Sequence, residues 1–145
     1  MIRLATKLDI KGIETIFRER FTTDQDYLNM VFTYLFPMSK CYVYTEDKQI
    51  LSTLFLIPIK YNTPQTSYKG YYMYGVATLK SASNRGLAKK IIQHIKEETR
   101  KEGGDFIICK PAEKSLFKYY SNLGYSINIP KTPFTISEVI KIYLS

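Results

Sequence analysis

Two periods of apolar residues alternate along this chain of 145 residues, and each switch between them marks an element. Met1 to Leu4 reads as a short strand. Ile10, Ile13, Ile16 and Phe17 then recur at three- and four-residue spacing, one face of a helix. Thr6 is its expected N-cap, with Asp9 favouring the first turn. Thr23 and Asp26 repeat that device ahead of Tyr27, Met30, Val31, Tyr34 and Leu35, and Pro37 is expected to end this second helix. Lys40 to Tyr44 and Leu51 to Tyr61 read as strands on either side of a hairpin turn, Glu46-Asp47-Lys48-Gln49. The second of these, LSTLFLIPIKY, is nearly continuous in apolar character, as for a strand covered on both faces. Pro58 places a bulge or an edge within it. From Tyr61 to Lys69 the pattern gives way to a polar loop rich in Thr, Ser and Pro.

The stretch from Gly70 to Ile92 organises the rest. An aromatic, β-branched run (Tyr71, Tyr72, Met73, Tyr74, Val76) is broken by Gly75, a position suited to a bulge or a simple kink. A polar turn from Lys80 to Asn84 leads into a helix whose apolar face is Leu87, Ile91, Ile92, Ile95 and Thr99. Gly86 therefore stands at a helix mouth. The first turn of a helix has backbone N–H groups without internal partners, and the peptide dipoles favour negative charge there. Gly103-Gly104 stops the helix, and Asp105 to Cys109 reads as a buried strand parallel to the one before it. Pro111 opens a further helix with Leu116, Phe117, Tyr120 and Leu123 on its apolar face, and Gly124 closes it. Tyr125 to Ile129 and Phe134 to Leu144 are two more strand candidates, the second also compatible with a partly helical course. The order is β-α-α-β-β-β-α-β-α-β-β.

Composition narrows this further. The length fits one domain spanning 1–145 with a real core, and the 45% hydrophobic and 23% charged content is that of a globular chain. No apolar run approaches a membrane span, and the first residues lack an apolar signal core, so a cytoplasmic protein is expected. Cys41 and Cys109 stand outside any metal-ligand spacing and read as buried thiols; with a single histidine, a zinc site is not expected. The net charge is +8, and Lys80 to Lys118 holds ten Lys and Arg against five Asp and Glu. That block contains the helix mouth, so a ligand with several phosphates, or nucleic acid, is a candidate partner beside a merely solvated basic face.

Ser83-Asn84-Arg85-Gly86-Leu87-Ala88 resembles the pyrophosphate-binding loop of the GNAT superfamily of N-acetyltransferases, Gln/Arg-x-x-Gly-x-Gly/Ala. Gly86 and Ala88 match; Ser83 replaces the usual Gln or Arg. Phe117-Lys118-Tyr119-Tyr120-Ser121-Asn122-Leu123-Gly124-Tyr125 is similar to the family's late helix motif, Phe-Tyr-x-x-Leu-Gly-Phe. Gly86 lies 34 residues before Tyr120, room for helix, strand and helix. The resemblance implies an α/β (α+β) fold, a mixed central sheet of about six to seven strands with helices on both faces. It implies acetyl-CoA as co-substrate and direct transfer of the acetyl group to a primary amine of a small molecule or protein. It assigns Tyr120 as the general acid that protonates the leaving thiolate. Val76, Ala77 and Thr78 are implied to meet the pantetheine arm through main-chain groups. Asn84, Arg85, Gly86, Leu87, Ala88 and Lys89 are implied around the pyrophosphate.

No general base stands out. Met73 to Thr78 contains no carboxylate, His94 lies along the helix after the phosphate loop, and Glu46 and Asp47 fall in a turn, so water is expected to take the amine proton. Glu113 replaces an Asn that relatives carry near the coenzyme, and an acetyl-cysteine at Cys109 is a remote option. The tyrosine-rich strand and the positive charge favour a neutral or acidic acceptor over a polycation. Against this enzyme stands a second reading, a module that binds acyl-CoA or nucleic acid without catalysis. The aromatics are not interleaved with Lys and Arg on one surface, which argues against nucleic acid. Neither membrane nor nucleic acid is expected as a partner; a homodimer is compatible with the family.

Overall fold

The computed structural model describes residues 1–110, 116–124, 126–128 and 139–143, with the backbone alone at 116, 117, 120, 126–128 and 139–143. Among the described residues, seven strands form one sheet in the order β1-β2-β3-β4-β5-β7-β6. They are β1 (Ile2–Leu4), β2 (Lys40–Glu46), β3 (Gln49–Asn62), β4 (Ser67–Thr78), β5 (Phe106–Cys109), β6 (Ser126–Asn128) and β7 (Val139–Tyr143). Every pairing is antiparallel except β4 with β5. Helix α4 (Leu87–Lys101) makes the crossover between those two strands. Val139–Tyr143 is strand, so the period-two reading of that stretch wins; Ile129 to Glu138 and Leu144 lie outside the described residues.

Strand alternation divides the core between the two faces. Phe55, Val43, Cys41 and Ala77 point towards α1 (Ile10–Arg20) and α2 (Gln25–Met30), meeting Ile13, Ile16, Phe17, Leu28 and Val31. Leu54, Leu56, Met73, Ile107 and Cys109 point the other way and meet Ile91, Ile92 and Ile95 of α4. Residues 51–56 of β3 are all buried, as the continuous apolar run requires. The hairpin into β3 turns at Asp47 and Lys48, both left-handed with φ 48 and 66, the paired positive φ of a tight two-residue turn. Pro58 takes the edge alternative: β2 pairs no further than Lys40↔Leu56, so the missing N–H has no strand to serve.

Four local expectations are corrected. A 3₁₀ turn at Lys7–Asp9 precedes α1, and the cap of α2 is Asp24, not Thr23. The Asp24 carboxylate accepts from Asp26 N at 2.9 Å and is a stronger acceptor at a helix mouth than a hydroxyl. Pro37 does not end its helix. A π-helical turn, Val31–Leu35, widens the ladder so that Phe36 N donates to Val31 O, and the chain continues through α3 (Phe36–Met38). The loop expected from Tyr61 to Lys69 shrinks to residues 63–66, closed by Thr63 N donating to Thr66 O at 2.8 Å. Tyr61 and Tyr68 stack across the extended hairpin with centroids 6.2 Å apart, a cross-strand gain that composition alone hides.

Asp9 does more than favour a helix start. It accepts both Arg3 guanidinium nitrogens, at 2.7 and 3.0 Å, and Thr6 N at 2.7 Å, tying β1 to α1. The hydrogen bond from Arg3 holds its carboxyl below the usual range. A depressed folded value means the stabilisation is complete above the unfolded value of about 3.9 and is lost as pH falls through the folded one. Asp9→Ala is expected to cost about 1–2 kcal/mol, low for a charged hydrogen bond because Arg3 is open to water. Urea unfolding at pH 7 and again near pH 3 checks this: the gap between variant and parent should narrow in acid.

Candidate functional site

The site is built where β4 leaves β5. Their parallel register runs from Gly70↔Phe106 to Met73↔Cys109 and stops, so Tyr74 to Thr78 have no β5 partner among the described residues. Against β3, the register shifts between Thr53↔Ala77 and Phe55↔Tyr74, which sets Gly75 and Val76 opposite Leu54 alone. This is a bulge, and Gly75 adopts φ 67 at its first position. Past the bulge, Leu79 N donates to Leu51 O at 2.9 Å, so Ala77 and Leu79 face β3. By alternation Val76 and Thr78 turn their main-chain groups into the opening beside β5.

Several side chains fix this segment. Ser52, fully buried, donates to Ala77 O at 3.0 Å and meets Thr78 Oγ1 at 2.8 Å. Arg20 Nε donates to Thr78 O at 2.7 Å, and Glu19 accepts the Lys80 N–H. The last turn of α1 thus grips the chain on both sides of Leu79. It also takes one of the expected pantetheine acceptors, leaving the N–H of Thr78 and the main chain of Val76. No pattern in the sequence announces Glu19, Arg20 or Ser52, because their partners lie 61, 58 and 25 residues away.

The helix mouth follows. Asn84 and Gly86 both adopt left-handed backbone, φ 63 and 71, and α4 starts at Leu87 with no side-chain cap and no acid in its first turn. A Cβ at Gly86 would meet nothing within 4 Å, so the chain can be approached closely at this position. Leu87 is buried and anchors the turn, whereas Asn84, Arg85, Gly86 and Lys89 are exposed around it and Ala88 is half-buried. Arg85 is ion-paired with Glu46 of β2, so Glu46, expected as plain surface, neutralises one of the cations. Lys89 and Lys90 remain, with Lys90 Nζ 5.8 Å from the Tyr44 ring centroid.

The basic block is not uniform. Arg100 pairs with Glu97, Lys101 with Glu98 at 3.8 Å, and Glu102 with Lys40, all towards the far end of α4. Glu102 also accepts from Tyr71 at 2.8 Å. Among the described residues the far end of α4 is thus largely ion-paired, whereas Lys89 and Lys90 stand exposed at the open mouth.

His94 is half-buried with its ring edge-on to Tyr42, centroids 5.7 Å apart, in the α4-side core and away from the opening. Both thiols are buried and free, and burial pushes each up to about 12, which keeps Cys109 a neutral core residue at physiological pH. Tyr120 belongs to α5 (Leu116–Asn122) by its backbone; its side chain lies outside the described residues, as do Pro111, Glu113 and Tyr125. Leu123 packs on the α4-side core, and Gly124, with φ 95, closes the helix by donating to Ser121 O at 3.0 Å. Among the described residues no group of His, Cys, Asp or Glu has metal-site geometry, and no helix is long and apolar enough to cross a membrane.

A strand splayed from its parallel neighbour and feeding an uncapped helix mouth is an acyltransferase architecture, and the sequence agrees. The family model for the acetyltransferase (GNAT) domain matches residues 1–128, so the chain belongs to the GNAT acetyltransferase family. No curated protein matches the sequence. Among solved structures, the Escherichia coli GNAT family N-acetyltransferase YhbS in complex with CoA aligns over 100% of this chain and 81% of its own, with TM-score 0.79 and 17% identity. A Brucella melitensis GNAT family acetyltransferase in complex with acetyl-CoA covers 100% of this chain and 88% of its own, with TM-score 0.71 and 17% identity. A conserved Enterococcus faecalis protein covers 87% of this chain at TM-score 0.74 and 16% identity, and there the match spans 32% of the longer chain. At these identities the likeness is one of fold.

Proposed function

We propose that this chain, as one domain over 1–145, transfers the acetyl group of acetyl-CoA directly to a primary amine of a small molecule or protein. One observation carries the reading furthest. Lys89 and Lys90 sit in the first turn of α4, where the dipole disfavours cations; that turn has no side-chain cap and no acid of its own, and the acid that Lys90 does feel, Glu46 of β2, is already paired with Arg85. Such a local cost is expected where an anionic ligand offsets it. The adjoining opening beside β4 has the backbone groups to receive an extended pantetheine arm as a strand would be received. The CoA and acetyl-CoA bound in the structural neighbours support the same assignment.

Acetyl-CoA supplies an activated thioester. The N–H groups of Gly86 to Lys89 would hold its pyrophosphate, with Lys89 adding charge and Arg85 braced by Glu46. Val76 and the N–H of Thr78 would align the arm, held in place by Ser52 and Arg20. The amine lone pair adds to the thioester carbonyl, the C–S bond breaks, and Tyr120 gives its proton to the departing thiolate. Water takes the proton lost from nitrogen. The test is release of free thiol from acetyl-CoA dependent on an added amine, with the acetylated amine identified by mass. Binding of acetyl-CoA with no thiol release above the uncatalysed background, whatever amine is added, would leave only a coenzyme-binding module.

A further inference from the structure

Beside the opening, on the face covered by α1 and α2, lies a pair of phenols that the coenzyme groove does not use. Tyr74 is the first β4 residue past the last β5 pair, and its hydroxyl is hydrogen-bonded to that of Tyr27 on α2. Both side chains are half-buried. Phe17 and Phe55, both fully buried, back Tyr74 from the core with centroids 6.4 and 6.2 Å away, and the partly buried Phe32 and Phe36, at 6.5 and 6.2 Å from Phe55, carry the aromatic wall towards the surface. Phe21, edge-on to Phe17 with centroids 5.0 Å apart, continues the wall outwards and is 49% exposed. The π-helical turn that carries Phe32 and Tyr34 is of a kind often kept at functional sites.

We infer that this phenol pair and its aromatic wall form the acceptor site, and that the acceptor is a monoamine carried on an apolar or aromatic body; the inference rests on the acetyl-transfer reading above. In a hydroxyl pair one O–H is spent on the other oxygen, which leaves lone pairs to accept an N–H from the incoming amine. That contact orients nitrogen next to the point where β4 and β5 separate. Aromatic faces tolerate one ammonium through their quadrupoles. A polycation needs carboxylates to replace the water around its further charges, and β4 has none from Ser67 to Thr78. Asp24 already accepts from α2's own N–H groups, which leaves, among the described residues, the exposed Asp26 in the first turn of that helix as the one further acid beside Tyr27, enough for one charge and not for several. The net charge of +8 adds a long-range penalty for such a ligand.

Turnover of phenethylamine, hexylamine and spermidine with acetyl-CoA tests this in the wild-type chain. The two monoamines should exceed spermidine in kcat/KM by at least roughly tenfold, one desolvated charge being worth that much. Tyr74→Phe and Tyr27→Phe, which keep the rings, should each weaken the apparent affinity for phenethylamine, seen as a rise in KM of roughly tenfold, the loss of one hydrogen bond to a charged group. The Kd for acetyl-CoA should stay at the parent value, and the Tm should fall by the few degrees that one lost hydroxyl pair costs, equally in both variants. Preference for spermidine, no turnover of either monoamine, or an unchanged KM in both variants would overturn the acceptor assignment. If acetyl-CoA itself fails to bind, the transfer reading falls and the acceptor site with it, so the two failures are distinct.

Discussion

A Gly75→Ala chain is expected to unfold at markedly lower urea, with a loss of about 2–5 kcal/mol. Two effects add. At φ 67 an L residue takes on the left-handed penalty of about 1–2 kcal/mol. The new methyl would also stand 2.7 Å from Phe17 Cζ, and forced overpacking of a core typically costs about 1–3 kcal/mol. A domain of this kind has only about 5–15 kcal/mol in hand, so the change is large. Phe17→Leu removes the clash and leaves the backbone penalty, so Gly75→Ala should cost less in a Phe17→Leu background than in the parent. A loss below about 1 kcal/mol would mean that the bulge yields easily, and the fixed opening beside β5 would lose its support.

Tyr120→Phe is expected to lower kcat by about a hundredfold or more, the usual contribution of a positioned general acid, while the Kd for acetyl-CoA stays within about twofold. The split is what matters. A phenol that only packs would leave kcat alone or shift Tm, whereas a proton donor moves kcat at constant affinity. Steady-state turnover assays and calorimetry on the same preparation check both halves. Unchanged turnover would remove Tyr120 from the mechanism.

The sequence was most legible where one residue type answers one local demand. The left-handed positions at Gly75, Gly86, Gly103 and Gly124 fall at the bulge, helix mouth or helix ends that the pattern assigns them. The element order was readable for the same reason, since periods of 2 and 3.6 are local properties. What stayed hidden depends on partners distant in the chain. Nothing near Glu19 or Arg20 reveals that they hold Lys80 and Thr78, and nothing in the turn at Glu46 reveals Arg85. The basic block gave only a net +5, whereas the fold shows acids spaced three residues from Arg100 and Lys101 pairing with them at its far end. The hairpin of β3 and β4 was cut short because polar composition outweighed the Tyr61–Tyr68 pairing.

Calorimetric titration with acetyl-CoA, with dephospho-CoA as control, tests the central claim most directly, that the β4–α4 unit is a coenzyme groove. Micromolar binding is expected, weakened by Gly86→Val, whose branched side chain resists the φ of 71 that opens the helix mouth. Dephospho-CoA, which keeps the pyrophosphate, should still bind. Failure of acetyl-CoA to bind at millimolar concentration to the folded parent chain would contradict the account.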